Sequence, residues 1–76
     1  MELNDFVVNF AEQFDDTDVN VIKATTEFKE LDEWSSLLAL SIIAMADEEY
    51  NVSLKGEDIC NSNTIEDLFN VVKSRA

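Results

Sequence analysis

The fold of this chain is decided by the run WSSLLALSIIAMADEEY, which extends from Trp34 to Tyr50. Between Leu37 and Ala46 its only polar residue is Ser41, and the run contains neither glycine nor proline. A long apolar run of this kind favours an α-helix, which we expect from about Ser36 to Tyr50. The rest of the chain can then be assigned outward from this helix.

Two serines, Ser35 and Ser36, stand at the predicted start of the helix. A serine there can cap the helix, because its oxygen accepts a backbone N–H that otherwise lacks a partner. A hydroxyl at the exposed start of a helix is also accessible to a modifying enzyme, and a phosphate ester would lie at the positive end of the helix dipole. The residues alone leave both interpretations open.

The composition limits the fold and the chemistry. With 76 residues the chain is expected to form one domain over residues 1–76, with a single modest core. It has no histidine and one cysteine, Cys60, so it lacks an imidazole for a Ser-His pair or a zinc site and cannot form an internal disulfide. We therefore expect a protein that is not an enzyme and has no metal site.

The charge is strongly acidic. Seventeen acidic residues against five basic ones give a formal net charge of −12. Such a surface repels nucleic acids and anionic membranes and attracts protein surfaces rich in Lys and Arg. The first residues lack the cationic flank and apolar segment of a signal peptide, and no apolar run approaches membrane-spanning length. We expect a soluble, cytoplasmic protein with basic protein partners.

The first segment of the chain predicts another long helix, which precedes the Ser36–Tyr50 helix. Phe6, Phe10 and Phe14 are four residues apart and form an apolar stripe on a helix from about Leu3 to Phe14. Residues 15–34 then lose helical periodicity and form a long, ordered connection. Its apolar residues, which we expect to pack against the core, are Val19, Val21, Ile22, Phe28 and Leu31.

The last third of the chain predicts two more helices. One short turn is expected between Gly56 and Asn61, with Ile59 pointing inward. Thr64 and Asp67 have the spacing of a capping box, with Asp in place of the usual Glu or Gln, and a final helix is expected from about Ile65 to Lys73. The prediction is an all-α four-helix bundle with three main helices, one short helix and a long first loop.

The Ser36–Tyr50 helix is the second in chain order and is called helix two below. Its faces indicate a contact surface. At about 100° per residue, one face, which we assign to the core, carries Ala39, Ile42, Ile43, Ala46 and Tyr50. The opposite face and its flanks carry Leu37, Leu40, Ser41, Ala44, Asp47 and Glu48, while Leu38 and Met45 lie to the other side. A surface with an apolar centre and a charged rim is typical of a protein contact. The alternative is that the short third segment covers this face.

Residues 16–27 partly match a calcium loop. Asp16, Asp18, Asn20 and Glu27 fall at positions 1, 3, 5 and 12 of the EF-hand spacing. Position 6 holds Val21, where the sharp turn needs glycine. We therefore do not expect an EF-hand.

Two further side chains each have two interpretations. Cys60 has no adjacent Lys, Arg or His to activate its thiol, so we expect a small packing residue rather than a reactive thiol. Trp34 is either a hydrophobic staple at the helix entrance or an exposed partner contact.

These residues together resemble the acyl carrier proteins of fatty-acid and polyketide synthesis. The resemblance spans nearly the whole chain in length, acidity, helix order and the long first loop. The residues that carry the resemblance are Phe28 and Leu31 before the serine pair, Ser36-Leu37 at the start of helix two, Glu48-Glu49-Tyr50 near its end, and the Thr64-Ile65 entry into the final helix. The resemblance implies a four-helix bundle of acyl-carrier type in which Ser36 carries 4′-phosphopantetheine, taken from coenzyme A, through a phosphodiester. The terminal thiol of this group would hold acyl chains as thioesters.

The resemblance also implies the partners. They are a phosphopantetheinyl transferase, and acyl-transfer and condensing enzymes with basic docking surfaces; the carrier itself is expected to be a monomer. The residues expected to contact them are Ser35, Leu37, Leu40, Ser41, Ala44, Asp47 and Glu48. Exposed charge pairs are individually weak and screened by salt, which suits transient docking.

The chain departs from the family at three positions. Ser35 stands where the family has aspartate, and Leu38 and Ser41 stand where many members have acidic residues that meet arginines of partner enzymes. These changes are compatible with a specialised carrier that has its own partners. They are equally compatible with an unmodified, carrier-like interaction module that docks partners through the helix-two face.

Overall fold

Four α-helices form the framework of the computed structural model, which describes residues 2–76. They are α1 (Leu3–Ala11), α2 (Ser36–Tyr50), α3 (Gly56–Cys60) and α4 (Ile65–Arg75). Two 3₁₀ turns, Val19–Val21 and Phe28–Glu30, lie between α1 and α2, and residues 2–76 contain no strand. The predicted all-α fold, with three longer helices, one short helix and a long first loop, is confirmed. Within residues 2–76 no helix combines the length and the apolar character needed to cross a bilayer.

The core is built on aromatic side chains of α1. Phe6 and Phe10 are fully buried. The ring of Phe6 lies 5.6 Å from that of Phe69 in α4 and 5.8 Å from that of Tyr50 in α2. Phe10 meets Phe28 of the loop edge-on at 5.3 Å. Such pairs add about 0.5–1.5 kcal/mol each to the free energy of burial, so α1 joins the other long helices and the loop in one apolar cluster.

Helix α1 ends at Ala11 and not at Phe14, as the apolar stripe predicted. After Ala11 the backbone tightens to i→i+3 hydrogen bonds: Gln13 N–H donates to Phe10 C=O at 3.2 Å, and Phe14 N–H donates to Ala11 C=O at 3.0 Å. This turn still buries Phe14. The predicted last turn was wrong because the spacing of the phenylalanines fixes which side chains are buried without fixing the backbone that carries them.

The long loop between α1 and α2 is closed by Glu33. Its carboxylate accepts the backbone N–H groups of Asp15 (2.8 Å), Asp16 (3.0 Å) and Thr17 (2.8 Å). It also accepts the Thr17 hydroxyl at 2.7 Å. The Thr17 hydroxyl, followed by these backbone donors, lowers the pKa of Glu33 because each bond stabilises the ionised form. The two ends of the loop are therefore held together by one side chain.

The middle of the loop is bonded to the start of α4. The C=O of Ala24 accepts the N–H of Glu66 at 2.9 Å, and the C=O of Thr26 accepts the N–H of Ile65 at 3.3 Å. The first N–H groups of a helix have no partner within the helix itself. The loop supplies those partners, so its position and that of α4 depend on each other.

Two apolar loop residues are not packed as predicted. Ile22 and Phe28 are buried and Leu31 is partly buried, as expected. Val19 and Val21, in contrast, are 57% and 54% exposed. The prediction for these two valines was wrong because their 3₁₀ turn carries the following Ile22, and not the valines, into the core.

The core face of α2 is rotated from the predicted one. Its buried residues are Leu38, Ile42, Met45 and Ala46. The predicted core residues Ala39, Ile43 and Tyr50 are only partly buried. Apolar residues occur on nearly every side of α2, so periodicity does not determine which face turns inward. The position of its packing partners decides this, and it places Leu38 and Met45 inside.

Capping and one ion pair hold α3 and α4. Thr64 Oγ1 accepts the N–H of Asp67 at 3.2 Å, and Asp67 Oδ2 accepts the N–H of Thr64 at 3.1 Å, which confirms the predicted capping box. Arg75 donates to both carboxylate oxygens of Asp58, at 2.6 and 2.8 Å. This guanidinium, together with a backbone bond, lowers the pKa of Asp58. Ile59 is buried, as predicted.

Candidate functional site

The two serines at the start of α2 have different environments. Ser35 precedes the helix in an extended conformation, and its hydroxyl oxygen accepts the backbone N–H of Leu38 at 3.3 Å. Ser35 is therefore the helix cap. Ser36 is the first helical residue, its side chain is exposed, and no hydrogen bond within residues 2–76 engages its hydroxyl. The capping role thus falls on Ser35, and the unbonded hydroxyl belongs to Ser36.

Trp34 fixes the chain just before the serines. Its ring is parallel to that of Phe10, 6.4 Å away, and meets Phe28 edge-on at 4.9 Å. The side chain is partly buried and packs against the core. Trp34 is therefore not a free partner contact, and its packing sets the point at which Ser35 and Ser36 reach the surface.

A cleft of about 590 Å³ opens beside Ser36. Ala39, Leu40 and Ile43 of α2 form one wall, and Ile59 of α3 forms part of the other. The cleft borders the Ser36 side chain, so the hydroxyl and the apolar walls belong to one site. Ile59 is 3% exposed, so this part of the wall belongs to the core.

Two residues that the sequence did not place at this site, Lys29 and Cys60, also border the cleft. Lys29 is the one cationic residue among those that line it. Its Nζ donates to the backbone C=O of Cys60 at 2.8 Å, which ties the loop to the end of α3. Cys60 itself lines the cleft and is exposed. The expectation that Cys60 is a packing residue was wrong, because α3 turns Ile59 inward and leaves the next side chain at the surface.

The predicted contact face of α2 is open to solvent. Leu37 is 73% exposed and Leu40 is 62% exposed. Among the other residues predicted to contact partners, Ser35, Ala44, Asp47 and Glu48 are exposed and Ser41 is partly buried. Helix α3 shares the cleft with Leu40 without covering it. The alternative in which the short third segment hides this face is therefore wrong. Leu38 is buried and is not part of this exposed face.

The acidic segment that partly matches a calcium loop has another role. Asp18 Oδ1 accepts the N–H of Asn20 at 2.9 Å and caps the first 3₁₀ turn. In the described part of the chain, no three Asp, Glu or Cys side chains converge in a way that would hold a metal ion.

Comparison of the chain with protein-family models, curated proteins and solved structures gave no match. The resemblance to acyl carrier proteins therefore rests on the residues of the sequence alone.

Proposed function

We propose that this chain carries acyl groups as thioesters on 4′-phosphopantetheine attached to Ser36, and that it passes them between partner enzymes. The observation that supports this most directly is the hydroxyl of Ser36. It is exposed and unbonded within residues 2–76, at the first position of a 15-residue helix and at the edge of an apolar cleft. An enzyme can reach this oxygen without unfolding the protein.

The surroundings of Ser36 suit a phosphodiester. The backbone N–H groups of Ser36 and Leu37 belong to the first turn of α2, and no acceptor within residues 2–76 takes them. These groups and the helix dipole favour a negative charge at this position. Lys29 borders the same cleft and adds a cation in a chain that is otherwise strongly acidic. The donor set therefore fits the phosphate of the implied group.

The cleft suits an apolar cargo. The prosthetic group would supply the terminal thiol on which an acyl chain is held as a thioester. Ala39, Leu40, Ile43 and Ile59 present apolar walls beside the attachment point. Hydrocarbon that lies against such walls gains about 0.8 kcal/mol per buried CH₂ group. The protein would thereby shield the acyl chain from water and limit hydrolysis of its thioester.

Catalysis would belong to the partners. No side chain within residues 2–76 is hydrogen-bonded to the Ser36 hydroxyl, so the base that activates it would come from the modifying enzyme. The exposed Leu37 and Leu40 offer apolar contact area, and Asp47 and Glu48 on the same helix offer charges for basic partners. Exposed charge pairs of this kind bind quickly and weakly, which a shuttle requires.

Intact mass after incubation with coenzyme A and a broad-specificity phosphopantetheinyl transferase tests the proposal. The wild type and Ser35→Ala should each gain the mass of one phosphopantetheine, and Ser36→Ala should gain none. Ser35→Asp restores the acidic residue of the family and should be modified faster than the wild type. An unmodified wild type, in a reaction that fully loads a reference carrier protein, would contradict the proposal. Equal loading of Ser36→Ala would contradict the assignment of the serine.

A second candidate is an unmodified interaction module that docks partners through α2. The 73% exposure of Leu37 and the replacement of the family's aspartate by Ser35 favour it. Intact mass of the protein purified from its native cells separates the two. A bare Ser36 in cells whose other carrier proteins are fully loaded supports the module, whereas a loaded Ser36 supports the carrier.

A further inference from the structure

A second apolar groove lies between α1 and the first turn of the loop. It encloses about 330 Å³, and its apolar walls are Val7, Val8, Ala11, Val19 and Ile22. None of its lining residues also lines the cleft at Ser36. The groove is therefore separate from the cleft at Ser36.

The rim of this groove is formed by apolar side chains that are not part of the buried core. Ala11 and Ile22 are 4% and 3% exposed and belong to the core. Val8 and Val19, which line the same groove, are 55% and 57% exposed. Isolated apolar residues at a surface are common, but here two line one concave site with a buried apolar floor. Apolar grooves of this kind with polar surroundings mark contact sites.

An acidic cleft adjoins the groove. Glu12 lines both of them. The cleft, of about 310 Å³ between α1 and α2, also carries Glu48 and Glu49. All three carboxylates are exposed. In the described part of the chain the one salt bridge joins Arg75 to Asp58, so no cation neutralises these three side chains. An apolar groove thus lies next to a concentration of negative charge.

We propose that this combined surface of α1, the first loop turn and α2 docks a basic amphipathic helix of a partner protein. An apolar side chain of that helix fills the groove between Val8 and Val19, and Lys or Arg side chains reach the carboxylates of Glu12, Glu48 and Glu49. A second copy of this chain fits poorly, because it brings another net charge of −12 against the same acidic rim. No basic residue lines the groove or the cleft to offset that repulsion.

A synthetic helical peptide of leucine and lysine, with leucines at i, i+3, i+4 and i+7, is the probe. Its control has the same lysines and serine in place of leucine. Binding is measured by fluorescence anisotropy and mapped by amide chemical shifts on the full chain. The leucine peptide should bind more tightly than the serine peptide and shift the amides of Val8, Glu12, Val19 and Ile22. Affinity should fall with added NaCl, since the charges are exposed.

Paired variants locate the site. Val8→Ser with Val19→Ser removes the apolar rim, and both positions are exposed enough to tolerate serine, which a melting curve checks. This variant should weaken binding about tenfold, and Glu12→Lys should also weaken it. The matched change Val21→Ser, at a valine that is about as exposed but does not line the groove, should leave affinity within about twofold. Ser36→Ala should bind as the wild type does, whether or not Ser36 carries a prosthetic group.

Several results would overturn the proposal. One is equal binding of the serine peptide, which would show attraction by charge alone. Another is a set of shifted amides confined to the Leu37 and Leu40 face. A third is a concentration-dependent dimer in sedimentation that Val8→Ser with Val19→Ser abolishes, because the occupant would then be a second copy of the chain.

Discussion

The hydroxyl oxygen of Ser35 lies 3.3 Å from the backbone nitrogen of Leu38, and this bond caps α2 while the neighbouring hydroxyl of Ser36 stays free within the described residues. Of the two adjacent serines, Ser35 therefore caps the helix, and Ser36 presents an exposed hydroxyl that makes no hydrogen bond within the described residues.

Replacing Ser35 by alanine should destabilise the protein. The lost cap is worth about 0.5–2 kcal/mol of unfolding free energy, and in a domain of this size each kcal/mol lowers Tm by about 4–8 °C. Thermal and urea denaturation measure the effect. Ser36→Ala is the matched control and should leave Tm unchanged or slightly higher, because alanine favours helix. Equal destabilisation by the two variants would contradict the assigned cap.

Glu33→Gln should loosen the first loop and lower Tm at neutral pH. The carboxylate accepts four hydrogen bonds from residues 15–17, and its pKa is lowered in the folded protein. A lowered pKa means that the stabilisation is fully present above the unfolded-state value of about 4.3 and is lost as the pH falls through the folded-state pKa. The difference in Tm between wild type and Glu33→Gln should therefore shrink on acidification from pH 7.

Asp32→Asn is the control for this experiment. It removes one negative charge next to Glu33 from an exposed side chain. It should leave Tm unchanged or raise it at pH 7, because it relieves repulsion without breaking the loop closure. A Tm difference between wild type and Glu33→Gln that grows at low pH would show that Glu33 does not act through its charge.

Phe28→Ala should unfold the protein or bring it close to unfolding. Phe28 is fully buried and contacts Phe10 at 5.3 Å and Trp34 at 4.9 Å. Removing a buried phenylalanine costs about 3–5 kcal/mol, which is comparable with the whole stability of a small domain. Phe28→Leu keeps most of the volume and should cost less than about 1.5 kcal/mol. Urea denaturation compares the two, and similar midpoints would contradict the tight packing around the Phe28 ring.

Sodium chloride should stabilise the protein at pH 7. The net charge is −12, and the described residues form one salt bridge, so repulsion among carboxylates exceeds attraction. Screening relieves that repulsion, and Tm should rise between low salt and about 0.5 M NaCl. Chloride is preferred to sulfate for this measurement because sulfate also strengthens apolar burial. A flat or falling Tm would show that repulsion among the carboxylates contributes little to the stability of the fold.

Cys60 should react with a thiol reagent in the native protein. Its side chain is exposed at the edge of the cleft beside Ser36. The rate at pH 8 should lie within about tenfold of the rate in denaturant at the same pH, because access does not require unfolding. A native rate that is far slower, and that tracks the unfolding equilibrium, would mean that the thiol is covered.

Much of this fold was predictable because local signals are strong. The spacing of Phe6, Phe10 and Phe14 identified the core stripe of α1, and the Thr64–Asp67 box placed the start of α4 to the residue. The exposure of Leu37 and Leu40 on α2 followed from their position away from the predicted core face of that helix. Each of these signals depends on residues within about two helical turns of one another.

The failures have a common physical origin. The inward face of α2 and the exposure of Val19, Val21 and Cys60 depend on which distant segments pack nearby. Residue type does not encode that choice when apolar residues surround a helix or flank a turn. The loop closure by Glu33 was missed because a glutamate that binds backbone donors looks, in sequence, like any solvated acid. The groove between α1 and the first turn of the loop was missed because its walls come from two segments that meet only in the folded chain.

The two backbone bonds from the loop to α4 also bear on how the protein is made. The backbone C=O groups of Ala24 and Thr26 can accept these bonds only after Ile65 and Glu66 have been synthesised. A nascent chain that has left the ribosome only as far as α3 therefore holds a first loop without its final anchor, with the Ser36 helix already synthesised. Completion of the native loop has to await the release of α4, so an enzyme acting at Ser36 would encounter the finished site only after that helix has emerged.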